Sequence, residues 1–228
     1  YAFRFKARDK SAAQNETGWS TTGYVALVTG PRFLTVPAPY LTIQDAINAA
    51  QDGDVVEISP YPTPPYTYRG LGNVNLDFLG KAITVRSTDP EDEDVVAATV
   101  IDCQGTPDPY YPTRAFNFYS GEKRNSILAG ITIINGYRKG FAGLDGGLPG
   151  DDGNDGDDQF GGAIYCFGSH PTIRNCVIMD CTVEGGDAGD GADGDDGQEG
   201  TPSDPNDQTV SPTDGGYGGN GGGAFGGG

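Results

Sequence analysis

The sequence predicts an all-β fold made of stacked, repeated units, and three observations predict it. Short segments rich in Val, Ile, Thr and aromatic residues recur along the chain, as in strands. Turn residues separate these segments at short intervals, and two blocks of sequence align with each other, which is the pattern of a solenoid. The predicted strands lie at 82–87, 99–103, 115–120, 127–135, 163–167 and 172–179.

The internal repeat predicts which side chains face inward. Residues 116–120 align with 164–168, and residues 126–135 align with 171–180. Because each repeat buries its apolar face on its neighbour, aligned apolar residues should form stacks in the core. The predicted stacks are Phe116 with Ile164, Phe118 with Cys166, Ile131 with Cys176, and Ile133 with Ile178. A further copy starts at residues 222–225, which repeat residues 161–164, so an additional strand is expected there.

One short helix is predicted before the first repeat, over residues 42–51. Thr42 is a candidate N-cap with Asp45 at the capping-box position. Ile43, Ala46, Ile47 and Ala50 follow helical spacing and give one apolar face. Gly53 is expected to stop the helix before a buried strand that begins at Val55. A helix in this place would cover the open end of a stacked β structure.

The segment from Thr42 to Ile58, TIQDAINAAQDGDVVEI, resembles the N-terminal cap and first strand of the right-handed parallel β-helix proteins of the pectate-lyase-like superfamily. The resemblance implies a right-handed parallel β-helix with a short N-terminal cap helix, which would occupy 42–228 and carry the long Gly/Asp-rich inserts of this sequence. That family continues with P-G-x-Y after the first strand. This chain departs from the pattern with a Pro-rich excursion over residues 60–66.

Residues 1–29 predict two strands joined by a polar loop. The alternation from Tyr1 to Arg8, then Gly18-Trp19-Ser20 and a strand from Tyr24, resemble the last two strands of a fibronectin type III domain. We interpret residues 1–29 as a partial hairpin of that type and residues 30–41 as a Pro-bearing linker. The alternative is an ordinary exposed hairpin.

Charge divides the chain into two parts. Residues 1–142 hold 15 acidic and 13 basic side chains, whereas residues 143–228 hold 17 acidic side chains and one basic one, Arg174. Glycine follows the same division, with 12 before residue 143 and 26 after it. The net charge of -18 argues against nucleic acid as a partner. No apolar run approaches 18 residues, so no membrane insertion is expected.

The acidic part contains two inserts, at about 143–161 and 185–221, in which glycine recurs at every third residue. This spacing favours extended, polyproline-II-like segments packed side by side, since glycine allows close backbone approach. The alternative is disorder, on composition and charge. Clustered aspartates suit Ca²⁺, although the EF-hand spacing is absent. The candidate Ca²⁺ ligands are Asp151, Asp152, Asp155, Asp157, Asp158, Asp190, Asp193, Asp195 and Asp196. A solvated acidic surface is the alternative to a Ca²⁺ site.

Catalytic motifs are scarce, and we predict no catalytic residue. The four cysteines form no C-x-x-C, and His170 is the only histidine, which argues against a zinc site. Disulfides and buried free thiols remain open for the four cysteines. The predicted outer strand positions contain no paired carboxylates. Asp102 is the best single acidic candidate, and its place beside Gly105 favours a turn residue.

These features predict an extracellular or cell-surface structural protein, adhesive or fibre-forming, that belongs to a larger chain or assembly. Its expected partners are copies of itself or the rest of a longer chain, with polysaccharide as a further candidate. The first alternative is the N-terminal part of a polysaccharide lyase or glycoside hydrolase. The second is a carbohydrate-binding module. Fold resemblance alone does not decide among them.

Overall fold

The computed structural model describes residues 30–63, 66–106, 110, 113–194 and 217–225. The chain divides into two compact units, Tyr1–Arg32 and Phe33–Gly228. The hairpin predicted over 1–29 lies outside the described residues. The helices are α1 (Ile43–Ala49) and α2 (Glu93–Ala98). The strands are β1 (Phe33–Val36), β2 (Val55–Ile58), β3 (Thr67–Tyr68), β4 (Leu76–Asp77), β5 (Thr84–Ser87), β6 (Val100–Asp102), β7 (Phe116–Phe118), β8 (Ile127–Ala129), β9 (Thr132–Ile134), β10 (Tyr137–Lys139), β11 (Gln159–Phe160), β12 (Ile164–Cys166), β13 (Thr172–Arg174), β14 (Val177–Met179), β15 (Thr182–Glu184) and β16 (Ala224–Phe225).

The fold is β-rich, and its sheets are parallel. The largest sheet has the order β1-β2-β5-β8-β13, the second β14-β9-β6-β3, and the third β12-β7-β4. The chain visits these three sheets in the same order, once through β2, β3 and β4 and again through β5, β6 and β7. We call each such visit a pass. The third pass runs from β8 to β12, and the fourth begins at β13. Residues of one pass therefore stack on those of the next.

Strand register confirms three of the four predicted pairs, although Cys166 and Ile178 are exposed at the ends of their stacks. Phe116 pairs with Ile164, Phe118 with Cys166, and Ile133 with Ile178. Two further stacks run through the core without a gap in register: Val56, Val85 and Leu128 in the first sheet, and Tyr68, Ile101 and Ile133 in the second. All six side chains are buried. Their removal from water supplies the main stabilisation of the sheets.

The predicted helix and its cap are confirmed. The Asp45 amide donates to the Thr42 hydroxyl oxygen at 3.2 Å, and Ile43, Ala46 and Ile47 are fully buried. Helix α1 packs on β1, β2 and β4, so it covers one end of the stacked passes. The helix ends at Ala49, before the expected Gly53, which instead occupies a turn with φ of 89°. That conformation suits glycine because it has no Cβ.

Several elements differ from the prediction for identifiable reasons. The segment interpreted as a linker, 30–41, contains β1, whose alternating apolar residues pair with β2 despite the prolines that follow. The single strands expected at 127–135 and 172–179 are each two strands. They break at Gly130 and Asn175, which both have positive φ. The alternation of the predicted strand at 127–135 places Thr132 on the outer face, but Thr132 is buried because α2 covers it, and its hydroxyl donates to the Val96 carbonyl at 2.9 Å.

A buried carboxylate joins three passes. The Glu122 carboxylate accepts from the amides of Gly80, at 2.8 Å, and Ser120, at 3.0 Å, and from the Ser169 hydroxyl at 2.8 Å. Burial raises the pKa of Glu122, and these hydrogen bonds together with one from its own amide outweigh burial, so the pKa lies below its usual value. The carboxylate therefore stays charged at neutral pH and fastens the turns of neighbouring passes to one another.

The described parts of the two acidic inserts form an ordered bundle of four extended segments. We name them by their limits: segment A (140–150), segment B (151–159), segment C (184–193) and segment D (217–223). Amides of segment A donate to carbonyls of segment C at every third residue, from Gly143 to Asp187 and from Gly146 to Asp190. Segment B bonds in the same way to segment D, from Gly153 to Tyr217 and from Gly156 to Asn220. A repeat of three residues is that of a polyproline-II helix.

Strand pairing fixes the course of the bundle. Segments A and C follow the paired strands β10 and β15, and segments B and D lead into the paired strands β11 and β16. The predicted extra strand at the start of a further copy is therefore present as β16. It pairs with β11, however, and not with β12 as the repeat of residues 161–164 implied. The hydrogen bonds between segments B and D set the pairing of β11 with β16, because these segments lead directly into the two strands.

Candidate functional site

The acidic residues are distributed along the bundle and do not converge. Within the described ranges, no group of three acidic, histidine or cysteine side chains is arranged to hold a metal ion. Asp195 and Asp196 lie outside those ranges. The Ca²⁺ hypothesis therefore stays a prediction, and the described aspartates have other contacts.

Three of the candidate Ca²⁺ ligands form a hydrogen-bonded row along segment B. The side-chain oxygens of Asp152, Asp155 and Asp158 accept from the amides of residues 217, 220 and 223 of segment D, respectively. Both partners advance by three residues, so one carboxylate meets one amide per turn of the extended segment. These carboxylates satisfy backbone amides of segment D. The neighbouring glycines have no side chain that could accept a hydrogen bond from those amides.

The remaining candidates act locally or through their backbone. Asp151 accepts from the Leu148 amide at 2.9 Å and closes the turn between segments A and B. Asp157 accepts through its carbonyl from Gly186, and Asp190 and Asp193 accept through their carbonyls from segment A. Asp102, the best acidic candidate from the sequence, accepts from Asn135 at 2.9 Å and pairs with Arg69 at 3.2 Å. It is the last residue of strand β6 and not a turn residue as the sequence suggested, and its two contacts link it to neighbouring passes.

The cysteines offer no reactive thiol. All four are free, and burial raises the pKa of each, so the thiols stay protonated at neutral pH. Cys103 is fully buried, whereas Cys166 is exposed because β12 is the end strand of the third sheet.

A cleft of about 290 Å³, which no sequence motif predicts, lies where the third sheet meets the base of the bundle. Its basic and amide residues are Arg114, Arg138, Asn117 and Gln159. Three aromatic rings, of Tyr119, Phe160 and Tyr165, complete the wall together with the carboxylate of Asp158. No sequence pattern indicates this cleft, because Arg114 and Arg138 lie 24 residues apart in segments that only the fold joins.

Arginine geometry distinguishes this cleft. Arg114 is only 4% exposed, and its guanidinium carbon lies 4.8 Å from the centre of the Tyr165 ring, a cation–π contact. Antiparallel hydrogen bonds between Thr113 and Tyr137 bring Arg138 beside it. Burial, and then the charge of Arg138, lower the pKa of Arg114 to about 10, and burial lowers that of Arg138. Both side chains remain cations at neutral pH.

The chain matches no protein-family model, no curated protein and no solved structure. The resemblances to pectate-lyase-like β-helices and to fibronectin type III domains are thus carried by the residues quoted above. Among the described residues, no helix has the length and apolar character needed to cross a membrane.

Proposed function

We propose that the three parallel sheets close into a right-handed β-helix of the pectate-lyase-like type, and that the chain is a structural protein of the cell surface or extracellular space. Its function is assembly, either with other copies or within a longer chain, in an adhesive or fibrous structure. One observation carries this proposal: the core stacks continue into a pass that nothing described covers.

The uncovered pass consists of β13 and β14. In the first sheet, Leu128 is fully buried, and the next residue in its stack, Ile173, is 40% exposed. In the second sheet, Ile133 is fully buried, and the next residue, Ile178, is 37% exposed. Exposed apolar residues in register with a buried core indicate a surface that gains stability when another layer covers it.

The opposite end of the stack is closed. Helix α1 packs its apolar face on β1 and β2, so that end offers no open core. Head-to-tail contacts would therefore place an open pass against a helix. Two copies that meet at their uncovered passes would instead cover both cores at once. This contact is self-complementary and closes at two copies, so a fibre would need a second contact elsewhere on the molecule. The net charge of -18 opposes it at low ionic strength.

Light scattering of the whole chain across ionic strength tests this proposal. We expect association that increases with salt, and we expect Ile178→Lys to abolish it because the charge lies at the centre of the contact. Leu148→Lys is the matched control, since Leu148 is exposed in the bundle and away from β14. A folded monomer at every salt concentration, or equal loss in both variants, would refute assembly between copies of this chain.

One observation favours the carbohydrate-binding alternative. The cleft combines the rings of Tyr119 and Tyr165 with the amide of Asn117, and aromatic and amide groups are suited to sugar rings and hydroxyls. Calorimetry with neutral oligosaccharides tests this alternative. Binding that Tyr165→Ala removes would support it, and absence of binding would remove it. No contact in the described residues favours the lyase or hydrolase alternative.

A further inference from the structure

Buried polar atoms without hydrogen-bond partners are concentrated at one place in the described structure. Five such side-chain atoms occur, and four of them belong to Thr113, Arg114 and Arg138. They are the Thr113 hydroxyl oxygen, Nε and Nη1 of Arg114, and Nε of Arg138. An unsatisfied buried polar group costs about 1–3 kcal/mol, and more when it is charged. A fold tolerates such a cluster where a ligand supplies the missing partner.

The charge at this place is also uncompensated. Neither guanidinium forms an ion pair with a described carboxylate, although the chain has more than twice as many acidic as basic residues. Asp158 is the one acidic residue that lines the cleft, and its side-chain oxygen accepts from the Gly223 amide. Two cations therefore face the cleft against one carboxylate that already has a hydrogen-bond partner.

We propose that this cleft binds an oxyanion, namely a carboxylate, sulfate or phosphate group, between Arg114 and Arg138. Both arginines line the cleft, and their guanidinium groups carry the N–H donors that have no partner. Charge-assisted bonds from arginine to such groups are among the strongest in proteins. The Tyr165 ring holds the Arg114 guanidinium in place, so little side-chain entropy is lost when the anion binds. This inference is independent of the assembly role.

Titration of the whole chain with sodium sulfate, sodium phosphate and sodium acetate tests the proposal, with sodium chloride used to keep ionic strength constant. We expect at least one oxyanion to raise the melting temperature in a saturable manner, because it binds only the folded state. The anion that raises the melting temperature at the lowest concentration identifies the group that the cleft prefers. If none of the three oxyanions raised the melting temperature more than chloride does, the proposal would be wrong. The unpaired N–H groups of Arg114 and Arg138 would then be assigned to water.

Three variants locate the response. Arg114→Gln and Arg138→Gln should each weaken oxyanion binding by about tenfold or more, the loss of one charge-assisted contact. Arg124→Gln is the control, because Arg124 is an exposed cation beside Lys123 and His170 on another surface. If Arg124→Gln removed the response and the other two did not, the anion would bind that surface, and the proposal would be wrong.

A second measurement keeps the proposal testable if one variant unfolds. Because an unpaired buried charge destabilises the empty protein, Arg114→Met should melt at the same or a higher temperature than the wild type in chloride. In the salt of the preferred oxyanion, the wild type should melt at the higher temperature, since only the wild type is stabilised by binding the anion. A wild type that is more stable than Arg114→Met by the same margin in both salts would show that Arg114 has only a packing role.

Discussion

Replacing Gly143 by Ala should break the bundle at its centre. Gly143 lies in segment A, where its amide donates to the Asp187 carbonyl of segment C at 2.8 Å. A Cβ at this position would overlap the carbonyl of Asn154 in segment B and lie 2.8 Å from the amide nitrogen of Gly189 in segment C. Both obstacles are backbone atoms, so no side-chain rotation can relieve the overlap.

The magnitude follows from the hydrogen bonds that surround the site. To accept a methyl group, segments A, B and C must separate. Separation weakens the bond from Gly143 to Asp187, the bond from Asn154 to Leu144 at 2.8 Å, and the bond from Gly189 to Asn154 at 2.9 Å. At about 1 kcal/mol for each bond, the loss is about 3 kcal/mol. The cost of overpacking a tight interior, about 1–3 kcal/mol, has a similar size.

Gly147→Ala is the matched control, since a Cβ there meets no atom within 4 Å. It should leave stability unchanged or raise it by a few tenths of a kcal/mol through the unfolded chain. Because the bundle can open without the sheets, hydrogen exchange at the amides of Asn154 and Gly189 should be measured beside the melting temperature. Equal exchange rates and equal melting in the two variants would refute the close packing of segments A, B and C.

The remaining predictions concern the cap, the buried carboxylate and metal dependence. Ile47→Asp should lower the free energy of unfolding by about 4 kcal/mol in urea titration, because it buries a charge, whereas Leu41→Asp at an exposed site should not. Glu122→Gln should cost about 2 kcal/mol at pH 7. Since the folded pKa of Glu122 is lowered, its contribution is present above the unfolded value of about 4.3 and lost as pH falls through the folded pKa, so the two proteins should converge in acid. A difference that stayed constant with pH would exclude the carboxylate as the cause. If the bundle binds Ca²⁺, the melting temperature should be lower in EDTA than in millimolar Ca²⁺, because a ligand of the folded state stabilises it, and coinciding curves would leave the solvated acidic surface. A rise with Ca²⁺ would support the calcium hypothesis.

Local patterns predicted the parts of the fold that are encoded locally. The N-cap at Thr42 and the spacing of Ile43, Ala46 and Ile47 specify α1 without reference to the rest of the chain. Internal repetition likewise placed Phe116 on Ile164, because equivalent positions in stacked units must meet. The two-residue strands β3 and β4 were not predicted, since a strand this short is too brief to show an alternation of apolar and polar residues.

Features that depend on distant segments were not predictable from the sequence. The carboxylate of Glu122 reaches Gly80 and Ser169, residues 42 and 47 positions away, and nothing near Glu122 distinguishes it from a surface acid. The cleft has the same origin. Arg114 is buried, and strand β12 of the next pass brings Tyr165 against its guanidinium group. Such sites belong to the stacking of passes, and a single sequence shows them only after the register is known.

The two acidic inserts are better understood as extensions of two stacked passes than as low-complexity spacers. Strands β10 and β15, from which segments A and C depart, pair with an offset of 45 residues, from Tyr137 to Thr182. Strands β11 and β16, which segments B and D enter, pair with an offset of 65 residues, from Gln159 to Ala224.

The second insert is therefore 20 residues longer than the first, and the place of this extra length can be deduced. The offset from segment A to segment C is still 45 at Asp145 and Asp190, and the offset from segment B to segment D is already 65 at Asp152 and Tyr217. All of the additional residues thus fall between the outward and returning segments. Register is kept in both halves, because any shift by one residue would move a Gly out of the bundle interior and a side chain into it. Period-three glycine is consequently a packing constraint that two successive passes share.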